Sequence, residues 1–162
     1  MAPKTRLHQR RKFLQTLPLS AESLAAGTSA NNRYNIVVDT NVLISALYFG
    51  GTPETVLRHI CVHHTMILSD FIVEELVQQS KRKLAISQKE IRFIRTKLEE
   101  YCHSYEPDPA IKVRDINDTD IVALAREYHA LIITGDQDLL GYRDHTPMAV
   151  LSVADYTELF ID

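Results

Sequence analysis

Twice in this chain a short, β-branched apolar run ends on an acid followed by a helical pattern. Residues 35–38 (NIVV) run into Asp39, and residues 131–134 (LIIT) into Gly135-Asp136. Such runs read as buried strands, too short and too apolar for an amphipathic helix. After the first, VLISAL has helical spacing up to Gly50-Gly51. Thr52 is expected to cap a second helix with Pro53 at its first position. A second strand is expected at 65–68 (TMIL). Ser69 then caps a helix with Asp70 in its first turn, and Ser87 to Glu90 has the capping-box pattern opening IRFIRTKLEEYC. Further strands are expected at 111–113 (IKV) and 148–151 (MAVL). A helix starts at Asn117 or Asp118, and the last is capped from Ser152 to Asp155. Strands alternating with helices make the class α/β with a mostly parallel sheet.

Charge divides the chain. Residues 1–33 carry six basic side chains against Glu22 alone, a net of +5; residues 34–162 carry 12 basic and 20 acidic, a net of −8. The change falls near GTSANN (27–32), which reads as a linker. The expected organisation is a basic, disordered extension over 1–33, with a weak electrostatic role toward RNA, and one acidic domain over 34–162. Such a domain can act on a polyanion only if metal ions neutralise some of its carboxylates. Cys61 and Cys102 form neither a disulfide framework nor a zinc pattern. No apolar run approaches 18 residues and no secretory signal is evident, so a cytoplasmic protein without a membrane span is expected.

In open α/β sheets, sites lie beyond the carboxyl ends of the strands. Asp39 and Asp136 would both arrive there, although a strand-end Asp serves equally as a helix cap. Helix geometry adds two candidates. On the 118–129 helix, Asp118 lies roughly 50° from the centre of the apolar face and Asp120 roughly 110° away. On the 71–83 helix, Glu75 flanks the apolar face at roughly 100°, and Glu74 points to solvent at roughly 155°. Asp39, Glu75, Asp118 and Asp136 are therefore the candidate catalytic and metal-binding acids. Oxygen-only ligands suit Mg²⁺ or Mn²⁺, which activate water for attack on a phosphodiester.

These segments together resemble the PIN-domain ribonucleases. IVVDTNVLISAL is similar to the family's opening strand with its Asp-Thr-Asn. LSDFIVEELVQ is similar to the segment carrying its Glu, and RDINDTDIVALA with IITGDQDLL to its paired third and fourth acids. The resemblance covers about residues 34–160 and is greatest to the toxin components of toxin–antitoxin pairs. It implies a Rossmann-like, three-layer α/β/α sandwich and hydrolysis of single-stranded RNA with Mg²⁺ or Mn²⁺, leaving 5′-phosphate and 3′-hydroxyl ends. Asp39, Asp118 and Asp136 would bind the ion directly or through water, and Glu75 would support it. Thr40, Asn41 and Thr134 match supporting polar positions, with Asn41 orienting Asp39. Asp138 is the foremost extra acid, ahead of Asp115 and Asp120. The implied partners are RNA, a cognate antitoxin protein and a second copy in a homodimer.

Other features have plain readings beside functional ones. Lys81, Arg82 and Lys83 suit a helix C-terminus as well as RNA. Arg114 and Arg143 lie near the acids and could hold phosphate. His59, His63 and His64 are expected at the surface, and Tyr101 and Tyr105 are expected to pack. Two other functions compete with the nuclease. One is a PIN-like RNA-binding or interaction module without catalysis, which all four acids argue against. The other is a phosphatase of the haloacid-dehalogenase type, which needs a second Asp where Asn41 stands.

Overall fold

The computed structural model describes residues 33–111, 116–146 and 148–162. Four parallel strands form one sheet: β1 (Asn35–Val38), β2 (Thr65–Ile67), β3 (Leu131–Ile133) and β4 (Val150–Leu151), in the order β2-β1-β3-β4. Ile36 pairs with Met66 on one side and Leu131 on the other. β1 is thus interior, and Ile36, Val37 and Val38 have no exposure at all. That explains the unbroken apolar run, because a strand covered on both faces has no polar side to present.

The helices are α1 (Thr40–Ile44), α2 (Thr52–His63), α3 (Asp70–Leu84), α4 (Gln88–Glu99), α5 (Ile116–Glu127), α6 (Gln137–Gly141) and α7 (Val153–Phe160). The chain leaves β1 for β2 in one direction and returns past it to β3. Right-handed crossovers then place helices on opposite faces of the sheet, giving the three-layer α/β architecture. Cap residues set several helix starts. Ser69 Oγ accepts from Ile72 N–H at 3.3 Å, and capping boxes close at Ser87/Glu90 and Ser152/Asp155.

The structure corrects several expectations. Gly51, at φ +67°, takes the cap position before α2, so Pro53 is its second residue. α1 continues directly into a π-helical segment, Ser45–Phe49. α5 starts at Ile116, which puts Asp118 within its first turn. Of the strand expected at 111–113, residues 112 and 113 lie outside the described residues, and Ile111 belongs to no strand. The extension over 1–33 lies outside them too, apart from Arg33. On α5 the expected inward residues Ile121, Val122, Leu124 and Ala125 are buried where the helix packs on β1 and β3, and Ala123, outside that face, is buried as well. Of the three histidines expected at the surface, His63 is exposed and His59 partly so, and only His64 departs from the expectation. His64 is only 5% exposed, set among the rings of Tyr34, His59, Tyr156 and Phe160. Tyr101 and Tyr105 do pack against the core. Among the described residues, no helix is long and apolar enough to cross a membrane.

Candidate active site

Asp39 follows the last residue of the interior strand, so neighbouring elements enclose it and it is 4% exposed. It occupies the cap position of α1, yet its side chain makes no capping bond; only its backbone carbonyl accepts, from Val42 and Leu43. The carboxylate is therefore not spent on helix capping. Thr134, at the end of β3, donates its hydroxyl to Asp39 Oδ2 at 2.7 Å. Burial raises the Asp39 pKa above the ordinary carboxylate range, and the charges of Glu75 and Asp136 raise it further. The bonds from Thr134 and the Thr40 backbone oppose that rise.

Glu75 is half-buried on α3. Its Oε2 accepts from Thr40 Oγ1 at 2.6 Å and its Oε1 from Gln79 Nε2 at 3.3 Å. Consecutive residues of one turn, Asp39 and Thr40, thus engage both remaining parts of the site. Thr40 fixes Glu75, while Asp39 is held from the β3 side. Glu74 is exposed and bound instead to Arg95 at 2.8 Å, joining α3 to α4. The ordering of these two side chains by burial is the one that the helix face predicts.

Asp136 stands at the corresponding end of β3. Its side chain caps α6, accepting from Asp138 N–H at 2.7 Å and from Leu139 N–H at 3.4 Å. Thr134 links the two acids, because its Oγ1 also accepts from the Asp136 N–H at 3.0 Å. Asp118 is 6% exposed in the first turn of α5, whose body lies against β1 and β3. Asp120 is bound by the Tyr105 hydroxyl at 2.7 Å, an ordinary tie between a loop and a helix. The structure therefore gathers Asp39, Glu75 and Asp136 around the ends of β1 and β3, with Asp118 buried on the adjoining helix.

A cleft of about 530 Å³ opens beside Asp136 and Asp138, between α1, α2 and α7. Asn41, Val42, Ser45, Pro53, Gly135, Gln137 and Val153 complete its lining. Asn41 faces this cleft, and the side-chain bond that orients Asp39 comes from Thr134. The basic residues divide. Lys81, Arg82 and Lys83 are exposed at the end of α3, roughly 9–12 Å along the helix from Glu75. Arg143 is held by Asp155 at 3.1 Å. Arg114 and Asp115 lie outside the described residues. Sequence reasoning missed Gln79. Its signal was the i, i+4 spacing from Glu75, which places the two on one helix face.

Among the described residues, no group of three or more His, Cys, Asp or Glu side chains is arranged to hold a metal ion. The chemistry of the acids nonetheless fits a hard divalent cation. Mg²⁺ takes oxygen ligands, often only one or two carboxylates together with waters and substrate phosphates. Asp39 is buried beside two like charges, a cost that a bound cation would offset.

The sequence matches the family model described as PIN domain over residues 35–138, a span holding all four acids. It is also similar to the uncharacterized protein MJ1680 of Methanocaldococcus jannaschii. The two are 33% identical over 122 residues, covering 69% of this chain and 77% of that protein.

Proposed function

The chain belongs to the PIN-domain family, whose members are generally nucleases that use divalent metals, and we propose that it is a Mg²⁺- or Mn²⁺-dependent endoribonuclease. One observation carries this reading: Asp39 is a buried carboxylate, oriented by Thr134, opposed by two neighbouring acids and not engaged as a helix cap. A group so costly to bury points to chemistry rather than packing.

Asp39, Glu75, Asp118 and Asp136 would hold the cation. When bound, it would supply an activated water and offset charge on the phosphoryl oxygens. Thr134 keeps the Asp39 carboxylate in one orientation and ties it to the turn carrying Asp136. Thr40 and Gln79 do the same for Glu75, one on each oxygen. Each oxygen retains a second lone pair for a ligand. Lys81, Arg82 and Lys83 would attract the RNA backbone, and Asp138 would adjust the charge at the cleft. Arg143 is less suited to this role while it is paired with Asp155.

The finer reading rests on the resemblance of the motifs. The chain would be the toxin of a toxin–antitoxin pair, restrained by its antitoxin protein, homodimeric and cytoplasmic. The absence of a three-ligand cluster among the described residues favours a second reading, a module that binds RNA without cleaving it. One experiment separates them. The purified chain and its Asp39→Asn variant are incubated with single-stranded RNA and Mg²⁺, Mn²⁺ or EDTA. Cleavage by the unaltered chain alone, and only with metal, supports the nuclease; binding without cleavage supports the module.

A further inference from the structure

We propose that Phe49 is a stacking platform for an unpaired base of the substrate, an assignment that rests on the nuclease reading and narrows its substrate to RNA with an unstacked nucleotide beside the cleft. Phe49 is 57% exposed, whereas the adjacent Tyr48 is buried and joined to Ser80 by a 2.9 Å hydrogen bond. The core has thus taken one of two successive aromatics and left the other to solvent.

The position of Phe49 is what gives the exposure meaning. Asn41 and Ser45 line the cleft, and Phe49 continues their four-residue spacing along the same continuous helix. The π segment winds more widely than an α-helix, with the Gly50 N–H bonded to the Ser45 carbonyl at 2.9 Å, so Phe49 follows Ser45 by a little under one turn. It thus neighbours Ser45 on its own segment and stands just outside the residues that line the cleft. The helix around it is a π segment, a local form that often marks functional sites. Gly50 and Gly51 follow at φ +78° and +67°, conformations that disfavour side chains, and the chain then turns into α2, whose Pro53 also lines the cleft. A Cβ on Gly51 would meet no atom within 4 Å, so glycine stands there for its backbone angle rather than for space.

The cleft suits a nucleobase. Val42, Pro53 and Val153 offer apolar surface for a flat ring, while Ser45 and Gln137 offer polar groups for its edges. Asp136 is itself a lining residue, so a base held there would adjoin one acid of the site. A paired base lies within its own stack and cannot present both faces, so the platform selects single strands.

The test uses the full chain carrying Asp39→Asn to suppress turnover, in Mg²⁺, with a fluorescein-labelled single-stranded oligoribonucleotide read by anisotropy. Adding Phe49→Leu keeps apolar bulk but removes the π face. It should weaken binding roughly tenfold, the scale of one aromatic–base stack, while Phe49→Tyr should preserve it. An oligonucleotide with abasic sites should bind the Phe and Leu forms equally. Unchanged affinity in Phe49→Leu, or an equal loss on the abasic strand, would overturn the platform alone. Self-association that is lost in Phe49→Leu while RNA affinity is kept would assign the residue to a protein interface instead. Failure of the unaltered chain to cleave RNA, together with no RNA binding by Asp39→Asn, would overturn the nuclease reading and the platform with it.

Discussion

His64 makes the sharpest stability prediction. It follows α2 and packs against Tyr34, Phe160 and Tyr156, with His59 and His63 on α2 and Arg33 nearby as the other titratable or charged groups. Its Nδ1 accepts from the Tyr34 N–H at 3.4 Å, so the neutral ring carries its proton on Nε2, which is buried without a hydrogen-bond partner. Protonation would put hydrogen on Nδ1 and lose that bond. Burial, followed by the charges of His59, His63 and Arg33, lowers the His64 pKa from 6.5 to about 4. Above pH 6.5 the residue is neutral in both folded and unfolded chains, and its contribution to stability is full. Between pH 6.5 and 4 the unfolded chain takes up a proton that the folded chain refuses. Two and a half pH units correspond to about 3 kcal/mol of lost stability. Urea unfolding followed by circular dichroism from pH 7.5 to 4 measures this directly. His64→Phe keeps a ring in the aromatic box and removes the titration. It should differ from the unaltered chain by no more than about 1 kcal/mol at pH 7.5, the scale of the lost hydrogen bond, and surpass it at pH 4. Effects of carboxylates are common to both proteins and cancel in the difference. Parallel loss of stability in the two would refute the reasoning.

Other outcomes follow from the site. Asp39→Asn should abolish metal-dependent cleavage in a gel assay, yet raise the melting temperature without metal, because it removes a buried charge opposed by Glu75 and Asp136. A divalent cation at ten times its Kd should stabilise the unaltered chain by about 1.4 kcal/mol, and Asp39→Asn by much less; equal shifts in a thermal melt would place the ion elsewhere. Thr134→Val should destabilise by about 1–3 kcal/mol and raise the Asp39 pKa, moving the acid limb of the pH–rate profile upward. Glu75→Gln should lose far more activity than Glu74→Gln, whose exposed pair with Arg95 contributes only about 0.2–1 kcal/mol. A reversed order in initial rates would contradict the placement of α3.

The interior strands were the most legible part of the chain. A run such as IVV, apolar at every position, has few options except a strand covered on both faces. Capping boxes were legible because both partners lie within four residues. The separation of Glu75 from Glu74 followed from helix rotation alone. What stayed hidden depended on distant contacts. Nothing local to His64 shows that Tyr34, Tyr156 and Phe160 will close around it, because these come from opposite ends of the domain. The burial of Ala123 was hidden because it falls among Thr119, Asp120 and Arg126 on the polar side of the helix pattern. The π segment at Ser45–Phe49 has the same apolar spacing as an ordinary helix, and only the glycine pair after it hints at a change in backbone.

The order of the strands explains why the burden falls on Asp39 rather than on another acid. β1 is flanked on both sides, so the residue that ends it can reach little water. Asp136 ends an interior strand too, but Gly135 intervenes and lets it turn outward to cap α6. The same residue type thus meets two environments one strand apart. In one it is a satisfied cap; in the other it is enclosed, with Thr134 and the Thr40 backbone offering two bonds against burial and two like charges. A helix cap can usually be exchanged for Ser or Asn at modest cost. Asp39 makes no side-chain cap bond to the second or third N–H of α1, so an ordinary cap requirement does not account for an acid there. Its carboxylate must be justified by what it binds, which is why the metal-dependent melt and the Asp39→Asn assay test the same proposition from opposite sides.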